Sequence, residues 1–289
     1  MLVNLKTILK FAEAHACAVG SFNTPGLEAL SAVIGAAEAL ELPVIVQHAE
    51  CHEAIAPLAM IGPTMLQAAE RATVPVCVHL DHGETLAYLA RALKLGFTSI
   101  MYDGSTVSYE ENVENTQKAA AMAREAGASL EAELGSMGRR ESGSGDHTGA
   151  EDETKIYTDP KLAGEFVRAT GVDALACSFG TTHGIYLTAP RLDFGVVRAV
   201  RREAGGIPVV MHGGSGVSAA DFHAAIAAGV RKVNYFTYMD KAGGTAAAEW
   251  VQKLPDSRPF FFTEIAAAAQ RAMQENVTAA MKMFALQDC

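Results

Sequence analysis

The chain has 289 residues and carries 33 acidic against 23 basic side chains, for a formal net charge of −10. With 49% hydrophobic and 19% charged residues it can build a large core, which argues against an intrinsically disordered protein. The acidic balance argues against a nucleic-acid partner, because nucleic-acid-binding proteins present a basic face. A small anionic substrate stays compatible with this charge, since a metal or a helix N-terminus makes a locally positive site.

The cysteines and the N-terminal segment bear on the cellular compartment. The five cysteines form no Cys-x-x-Cys pair and suggest no disulfide framework, which favours a reducing environment. Residues 1–16 have the spacing of an amphipathic helix rather than the pattern of a signal peptide. No stretch is long and apolar enough to span a bilayer. We therefore expect a soluble cytoplasmic protein with no membrane partner.

Eight short β-rich segments alternate with Ala- and Leu-rich stretches of helical spacing. Most are continuously apolar, as expected of parallel strands covered by helices. In chain order they are CAVGSFN (17–23), PVIVQHA (43–49), PVCVHLDHG (75–83), FTSIMYDG (97–104), ASLEAELG (128–135), ALACSFG (174–180), PVVMHGG (208–214) and KVNYFT (232–237). This pattern predicts one α/β domain over 1–289, a TIM (β/α)8 barrel. A doubly wound sheet is the alternative, but no strand is followed by Gly-x-Gly-x-x-Gly.

Two segments depart from the alternation of strands and helices. Residues 136–157 are rich in Gly, Ser and acidic side chains without an apolar period, and we expect them to form a mobile active-site loop. After the eighth strand, residues 240–289 regain helical spacing and are predicted to form a C-terminal helical extension. This extension closes the barrel and is the expected contact of a homo-oligomer, a dimer or a tetramer.

Polar side chains collect at the predicted C-terminal ends of the strands, where TIM barrels carry their active sites. They are Asn23, Gln47, His48, Asp81, His82, Asp103, Glu131, Glu133, His183, His212 and Asn234. Three of them, His82, His183 and His212, follow the third, sixth and seventh strands, each in a glycine-containing junction. Three imidazoles with one open coordination position form a catalytic zinc site. The sequence therefore predicts a metal centre above the barrel.

The remaining strand-end carboxylates and histidines have several interpretations. Asp103 and Glu133 can orient metal-bound histidines, accept structural hydrogen bonds or bind a second metal. Glu131, two residues from Glu133, faces the barrel interior one layer deeper. His48 has no evident role. The histidines interpreted as ordinary surface residues are His15, His52, His147 and His223.

The junctions after the seventh and eighth strands suggest a phosphate site. They read HGGSG (212–216) and NYFT (234–237), and they supply glycines, a serine and backbone N–H groups. TIM barrels often bind phosphate at this position. A plain glycine turn is the alternative.

Seven motifs in order along the chain resemble those of the class II, metal-dependent ketose-bisphosphate aldolases, which include fructose- and tagatose-bisphosphate aldolases. The motifs are SFN (21–23), VHLDHG (78–83), IMYDGS (100–105), EAELG (131–135), FGTTHGIY (179–186), VMHGGSG (210–216) and KVN (232–234). The resemblance implies a lyase of carbohydrate metabolism, as in glycolysis. Such an enzyme reversibly cleaves a phosphorylated ketose to dihydroxyacetone phosphate and an aldehyde, through a metal-stabilised enediolate.

The resemblance also assigns roles to individual residues. His82, His183 and His212 would hold the catalytic Zn²⁺, and Asp103 and Glu133 would mark a second position for a divalent or monovalent cation. Asp81 would exchange the proton on the C4 oxygen. Glu141 would move the proton at the enediolate carbon. The residues expected to bind the dihydroxyacetone phosphate half are Asn23, Gly184, Gly213, Gly214, Ser215 and the segment from Asn234 to Thr237.

The lysines favour the metal route over a lysine Schiff base. Cleavage between C3 and C4 leaves an enediolate, which needs either a Lewis acid or a Schiff base. None of the ten lysines lies at the C-terminal end of a predicted strand, since Lys232 starts the eighth strand and Lys241 lies beyond it. A metal hydrolase on the same barrel and a non-catalytic sugar-phosphate-binding protein are the alternatives. The chain has no His-x-His, which such hydrolases often carry on the first strand.

Three departures from the resembled family concern the substrate. Arg139 and Arg140 stand where the family often has Gly-Gly, and two guanidiniums can bind an anionic acceptor aldehyde. The alternative is that both arginines only pair with nearby acidic residues, which are Glu141, Asp146, Glu151 and Asp152. The second strand ends in QHAE without the serine of many relatives, and NYFTYM (234–239) places aromatic residues after the eighth strand. We therefore expect the dihydroxyacetone phosphate half to be retained and the aldehyde half to be specialised.

Overall fold

A computed structural model describes residues 1–135, 157–182, 184, 190–255, 258–259 and 261–287 of the chain. The predicted mobile loop, 136–157, lies outside these residues except for Tyr157. His183, Glu141, Arg139 and Arg140 also lie outside them.

Eight parallel strands close into a barrel, which confirms the predicted fold class. The described strands are β1 (Leu2–Val3), β2 (Val19–Asn23), β3 (Val44–Ala49), β4 (Val76–Gly83), β5 (Ser99–Tyr102), β6 (Ser129–Leu134), β7 (Ala174–Cys177), β8 (Val209–Met211) and β9 (Val230–Asn234). Strands β2 to β9 pair in chain order, and parallel pairing of β9 with β2 closes the ring. The short β1 adds to β4. The closed ring excludes the doubly wound alternative.

Most of the helices lie between successive strands, as in other (β/α)8 barrels, and the last two follow the final strand. They are α1 (Leu5–Ala14), α2 (Leu27–Leu40), α3 (Leu58–Arg71), α4 (Leu86–Leu95), α5 (Tyr109–Glu125), α6 (Pro160–Thr170), α7 (Phe194–Glu203), α8 (Ala219–Ala228), α9 (Thr237–Gln252) and α10 (Phe262–Phe284). Local sequence explains their ends: the Thr85 side chain caps the N-terminus of α4, and Gly96 ends that helix in the left-handed conformation.

Helix α1 closes the N-terminal end of the barrel. Its buried Leu5, Ile8 and Leu9 form a cluster with inward-facing strand residues such as Ile45 and Val210. Further toward the C-terminal ends of the strands the interior becomes polar and includes His79, Glu131 and Lys232, all fully buried. The interior therefore changes from apolar at the closed end to polar at the open end, where the strands' C-termini meet.

The C-terminal helices differ from the prediction in where they begin. The predicted eighth strand, 232–237, ends at Asn234, and Thr237 already begins α9. Helix α9 is thus the eighth barrel helix, while α10 is additional and packs against α9 and α2. Among the described residues, no helix combines the length and the apolar character that crossing a membrane requires.

Candidate active site

A cavity opens at the C-terminal ends of the strands. Eleven of the residues predicted from the sequence line it: Asn23, Asp81, His82, Asp103, Glu133, Gly184, Gly213, Gly214, Ser215, Asn234 and Thr237. They come from strands β2, β4, β6 and β9, from the loops after β5, β7 and β8, and from the first residue of α9. His212 is fully buried, and its ring centroid lies 4.7 Å from that of His82. The fold thus gathers residues that are up to 214 positions apart, from Asn23 to Thr237.

The end of β4 is irregular, and this irregularity brings two neighbouring residues to one cavity. Successive side chains of a regular strand point to opposite faces. The pairing of β4 with β5 shifts register between Leu80 and Gly83, and His82 has a φ of 41°, in the left-handed region. A non-glycine residue with positive φ is uncommon and concentrates at functional sites. As a result Asp81 and His82 both line the cavity.

His82 and His212, the two candidate metal ligands that the structure describes, each have one ring nitrogen within hydrogen-bond distance of a carboxylate. Nδ1 of His82 lies 2.7 Å from Oδ2 of Asp103, and Nε2 of His212 lies 2.9 Å from Oε1 of Glu131. A carboxylate on one imidazole nitrogen fixes the tautomer and leaves the lone pair on the other. Ligand atoms of Asp81, His82 and His212 lie within 4.8 Å of one another, and so do those of His82, Asp103 and Glu133. These two overlapping groups share His82.

The charges of the group fit a bound cation. Burial, together with the neighbouring charge of Asp103, raises the pKa of Glu133 to about 8. Burial alone would lower the pKa of His82, but Asp81 and Asp103 raise it to about 10. Carboxylates crowded around imidazoles in this way either bind protons or neutralise a metal ion. The donor set of imidazoles oriented by carboxylates suits a divalent cation such as zinc.

Asp81 is held by three amide donors. Asn23 Nδ2 and Gln47 Nε2 donate to its Oδ2 at 3.1 and 3.0 Å, and Asn234 Nδ2 donates to Oδ1 at 3.0 Å. Burial alone would raise the pKa of Asp81, but the positive charges of His82 and Lys232 hold it well below its usual range. The carboxylate is therefore ionised and fixed in orientation at neutral pH.

The loops after β8 and β9 form one wall of the cavity. Gly213 has a φ of 66°, and a Cβ there would meet the Thr182 carbonyl oxygen at 2.3 Å, so this close approach requires glycine. The Gly214 N–H donates to the Asn234 carbonyl at 3.1 Å and joins the two loops. Helix α9 starts at Thr237 and turns its N-terminus to the same wall.

The predicted surface role of His52 is wrong, because this side chain lines the cavity. His52 lies in a short 3₁₀ turn, Glu50–His52, and its ring centroid is 5.3 Å from that of Phe236. The turn after β3 thus meets the aromatic segment after β9, which is one of the departures noted in the sequence, in one wall of the cavity. The spacing along the chain gave no signal of this contact.

The turn that carries His52 is anchored to helix α4. Nε2 of His48 lies 3.0 Å from the Tyr88 hydroxyl, which donates to Glu53 at 2.6 Å. Arg91 donates to the other Glu53 oxygen at 2.8 Å. His48, whose role the sequence left open, therefore points away from the cavity and contacts Tyr88, which positions the turn that carries His52.

Sequence reasoning also missed the polar layer beneath the cavity. Gln47, which the sequence places at a strand end without assigning it a role, donates to Asp81. His79 was not singled out, and its Nδ1 lies 2.8 Å from the Ser99 hydroxyl. Lys232, which starts the predicted eighth strand, is fully buried in the same layer. Alternation along the strands could have placed all three side chains inward.

Comparisons with known proteins agree with this geometry. Residues 3–288 match the family model described as fructose-bisphosphate aldolase class-II. The chain is 35% identical over 288 residues to the probable fructose-bisphosphate aldolase of Bacillus subtilis, covering 98% of this chain and 97% of that protein. The crystal structure of the YdjI aldolase from Escherichia coli K12 is 32% identical, with a TM-score of 0.85 over 98% of this chain and 97% of that one.

A crystal structure of a putative fructose-1,6-biphosphate aldolase from Coccidioides immitis is also similar, at 29% identity. It gives a TM-score of 0.82 over 97% of this chain and 96% of that one. The match to the family model spans nearly the whole sequence, and the likeness to solved structures spans the whole barrel. The chain therefore belongs to the class II fructose-bisphosphate aldolase family of aldehyde-lyases.

Proposed function

We propose that the protein is a zinc-dependent aldolase that reversibly cleaves a phosphorylated ketose to dihydroxyacetone phosphate and an aldehyde. The observation that carries this proposal is the paired orientation of Asp81 and His82 at the irregular end of β4. This arrangement places the Asp81 carboxylate beside the His82 ring, whose Nδ1 lies within hydrogen-bond distance of Asp103. Family membership implies a divalent metal and a sugar-phosphate substrate.

His82 and His212 would hold the metal, with His183 as the third ligand expected from the sequence. When bound, the metal supplies a Lewis acid that polarises the substrate carbonyl and stabilises the negative charge formed on cleavage. Asp103 and Glu131 orient the two described imidazoles through their hydrogen bonds. Asp103 and Glu133, grouped with His82, also remain the candidates for a second cation position.

Asp81 would move the proton on the C4 oxygen. As the C3–C4 bond breaks, the C4 hydroxyl becomes an aldehyde and loses its proton. An ionised carboxylate accepts that proton, and three amide donors keep Asp81 ionised and aimed. The proton at the enediolate carbon is assigned to Glu141, which remains a prediction from the sequence.

The dihydroxyacetone phosphate half would bind at the wall formed by the loops after β8 and β9. Gly213 and Ser215 line this wall, Gly184 lines the cavity from the connection after β7, and the N-terminus of α9 at Thr237 adds partial positive charge. Because the Gly214 N–H is already bonded to Asn234, Gly214 would contribute close approach rather than a phosphate hydrogen bond. Asn23 and Asn234 would meet the substrate next to Asp81.

The aldehyde half would meet His52 and Phe236. Aromatic faces pack on the C–H groups of a sugar chain, whereas the serine or the acidic residue that relatives carry in these segments would form hydrogen bonds with the sugar hydroxyls. Arg139 and Arg140 remain predicted contacts to an anionic aldehyde. The relatives carry different names, fructose-bisphosphate aldolase and YdjI aldolase, and these names leave the ketose open.

A retro-aldol panel tests the proposal. Purified zinc-loaded protein is incubated with fructose 1,6-bisphosphate, tagatose 1,6-bisphosphate, fructose 1-phosphate and carboxylated analogues, and dihydroxyacetone phosphate is measured. We expect release from at least one ketose phosphate, and a rise in KM for doubly anionic substrates in Arg140→Gly. Phosphate release without carbon–carbon cleavage would indicate the hydrolase. Tight sugar-phosphate binding without turnover would indicate the non-catalytic alternative.

A further inference from the structure

Lys232 is a fully buried lysine inside the barrel, beneath the candidate active site. It lies on β9 two residues before Asn234, so the two side chains share the inward face of the strand. Its Nζ lies 2.9 Å from Oε2 of Glu131 and 2.7 Å from Oδ1 of Asn234. A charge this deep persists only when it is paired and hydrogen-bonded.

The contact between Lys232 and Asn234 fixes which end of the Asn234 side-chain amide faces Asp81. A lysine ammonium group has three donors and no acceptor, so the Asn234 oxygen must face Lys232. The Asn234 NH₂ group must then face Asp81, and Nδ2 donates to Oδ1 at 3.0 Å. The opposite orientation would set two donors against each other and a carbonyl against a carboxylate. Lys232 therefore holds one of the donors that aim Asp81.

The contact between Lys232 and Glu131 affects a candidate metal ligand, because Glu131 also lies beside His212. Lys232 Nζ lies 2.9 Å from Oε2 of Glu131 and donates to Oε1 at 3.3 Å, and Oε1 also lies 2.9 Å from Nε2 of His212. A proton on Nε2 leaves the lone pair on Nδ1, which lies 3.4 Å from Glu133 in the candidate metal group. The same buried cation thus keeps Glu131 in the position that sets the tautomer of His212.

We propose that Lys232 is a positioning residue that orients Asp81 through Asn234 and His212 through Glu131. This inference rests on the proposed function of the site, and it gives a role to Lys232, which the proposed chemistry leaves unused. Lys232 acts through its neighbours, because it lies below Asn234 and does not line the cavity. A merely structural ion pair would stabilise the barrel without affecting metal affinity or turnover.

The test compares four proteins: wild type, Lys232→Met, Lys232→Met with Glu131→Gln, and the control Lys241→Met. The single variant leaves Glu131 buried without its cation and can fail to fold, whereas the double variant removes both charges and restores neutrality. Lys241 is exposed on α9 and lies outside the polar layer. Circular dichroism and metal-free unfolding midpoints establish which variants are folded.

Zinc affinity and kinetics are then measured on the folded variants. Zinc dissociation constants come from competition with a chromophoric chelator, and kcat and KM from dihydroxyacetone phosphate release. We expect zinc binding to weaken by about 10- to 100-fold and kcat to fall by about as much, with a smaller change in KM. Lys241→Met should match wild type. A folded Lys232 variant with zinc affinity and kcat within threefold of wild type would overturn the inference.

The two proposals fail in distinguishable ways. A wild-type protein that binds zinc yet cleaves no ketose phosphate contradicts the proposed function. The zinc affinities still test the positioning in that case: weaker binding in a folded Lys232→Met protein assigns the positioning of His212 to Lys232, weaker binding in the double variant assigns it to the pair of Lys232 and Glu131, and unchanged binding in the folded variants refutes it.

Discussion

Replacing Asp81 by alanine tests the proton-transfer assignment. The substitution removes the carboxylate that accepts from Asn23, Gln47 and Asn234. A positioned proton-transfer group contributes about 10²- to 10⁴-fold to the rate, so we expect kcat to fall by that factor. A buried donor left without an acceptor costs about 1–3 kcal/mol. Because Asp81 lines the cavity, water can replace its oxygens in part, and we expect a total stability loss of about 1–3 kcal/mol.

The assay combines retro-aldol kinetics, zinc content by mass spectrometry and urea unfolding. Gln47→Leu serves as the matched comparison, because it removes one donor to Asp81 and keeps the carboxylate. It should lower kcat by about 10- to 100-fold, since hydrogen bonds to charged groups are worth about 1.5–3 kcal/mol. Near-normal turnover in Asp81→Ala would refute the proton-transfer role. Loss of zinc together with activity would instead make Asp81 a metal ligand.

Three further predictions concern the metal, the buried histidine and the aldehyde half. His82→Ala and His212→Ala should each lose bound zinc and turnover, whereas His223→Ala, on α8, should keep both; retained zinc in either variant contradicts the ligand assignment. Burial lowers the pKa of His48 to about 4 against 6.5 unfolded, so the unfolded state binds the extra proton as pH falls. Wild type should lose about 2–3 kcal/mol of stability from this group between pH 7 and 4.5. His48→Gln should lose correspondingly less in urea unfolding, and an equal loss contradicts the linkage. His52→Ala should change KM for ketose phosphates that differ in their aldehyde half and leave hydrogen exchange of dihydroxyacetone phosphate unchanged; the reverse result would put His52 at the phosphate half.

The barrel could be predicted because each strand carries its own signal. Continuous apolar runs such as PVIVQHA (43–49) followed by helical spacing require parallel strands with helical crossovers. The strand ends then place Asp81, His82 and His212 near one another by topology alone. Strand limits were less accurate, as the early end of β9 at Asn234 shows.

The contacts within the site could not be predicted in the same way. The positive φ of His82 depends on the pairing of β4 with β5, which no local pattern encodes. The pair between Lys232 and Glu131 joins residues 101 positions apart, and its partners follow from strand register. The contact between His52 and Phe236 likewise depends on how two loops pack.

Metal dependence of carbon–carbon cleavage tests the central claim most directly. The protein is assayed for dihydroxyacetone phosphate release with its zinc, after removal of zinc by a chelator, and after zinc is restored. In parallel it is treated with borohydride in the presence of substrate. We predict that the chelator abolishes cleavage, that zinc restores it, and that borohydride has no effect. Full cleavage in excess chelator, with inactivation by borohydride, would contradict the account and indicate a lysine Schiff base.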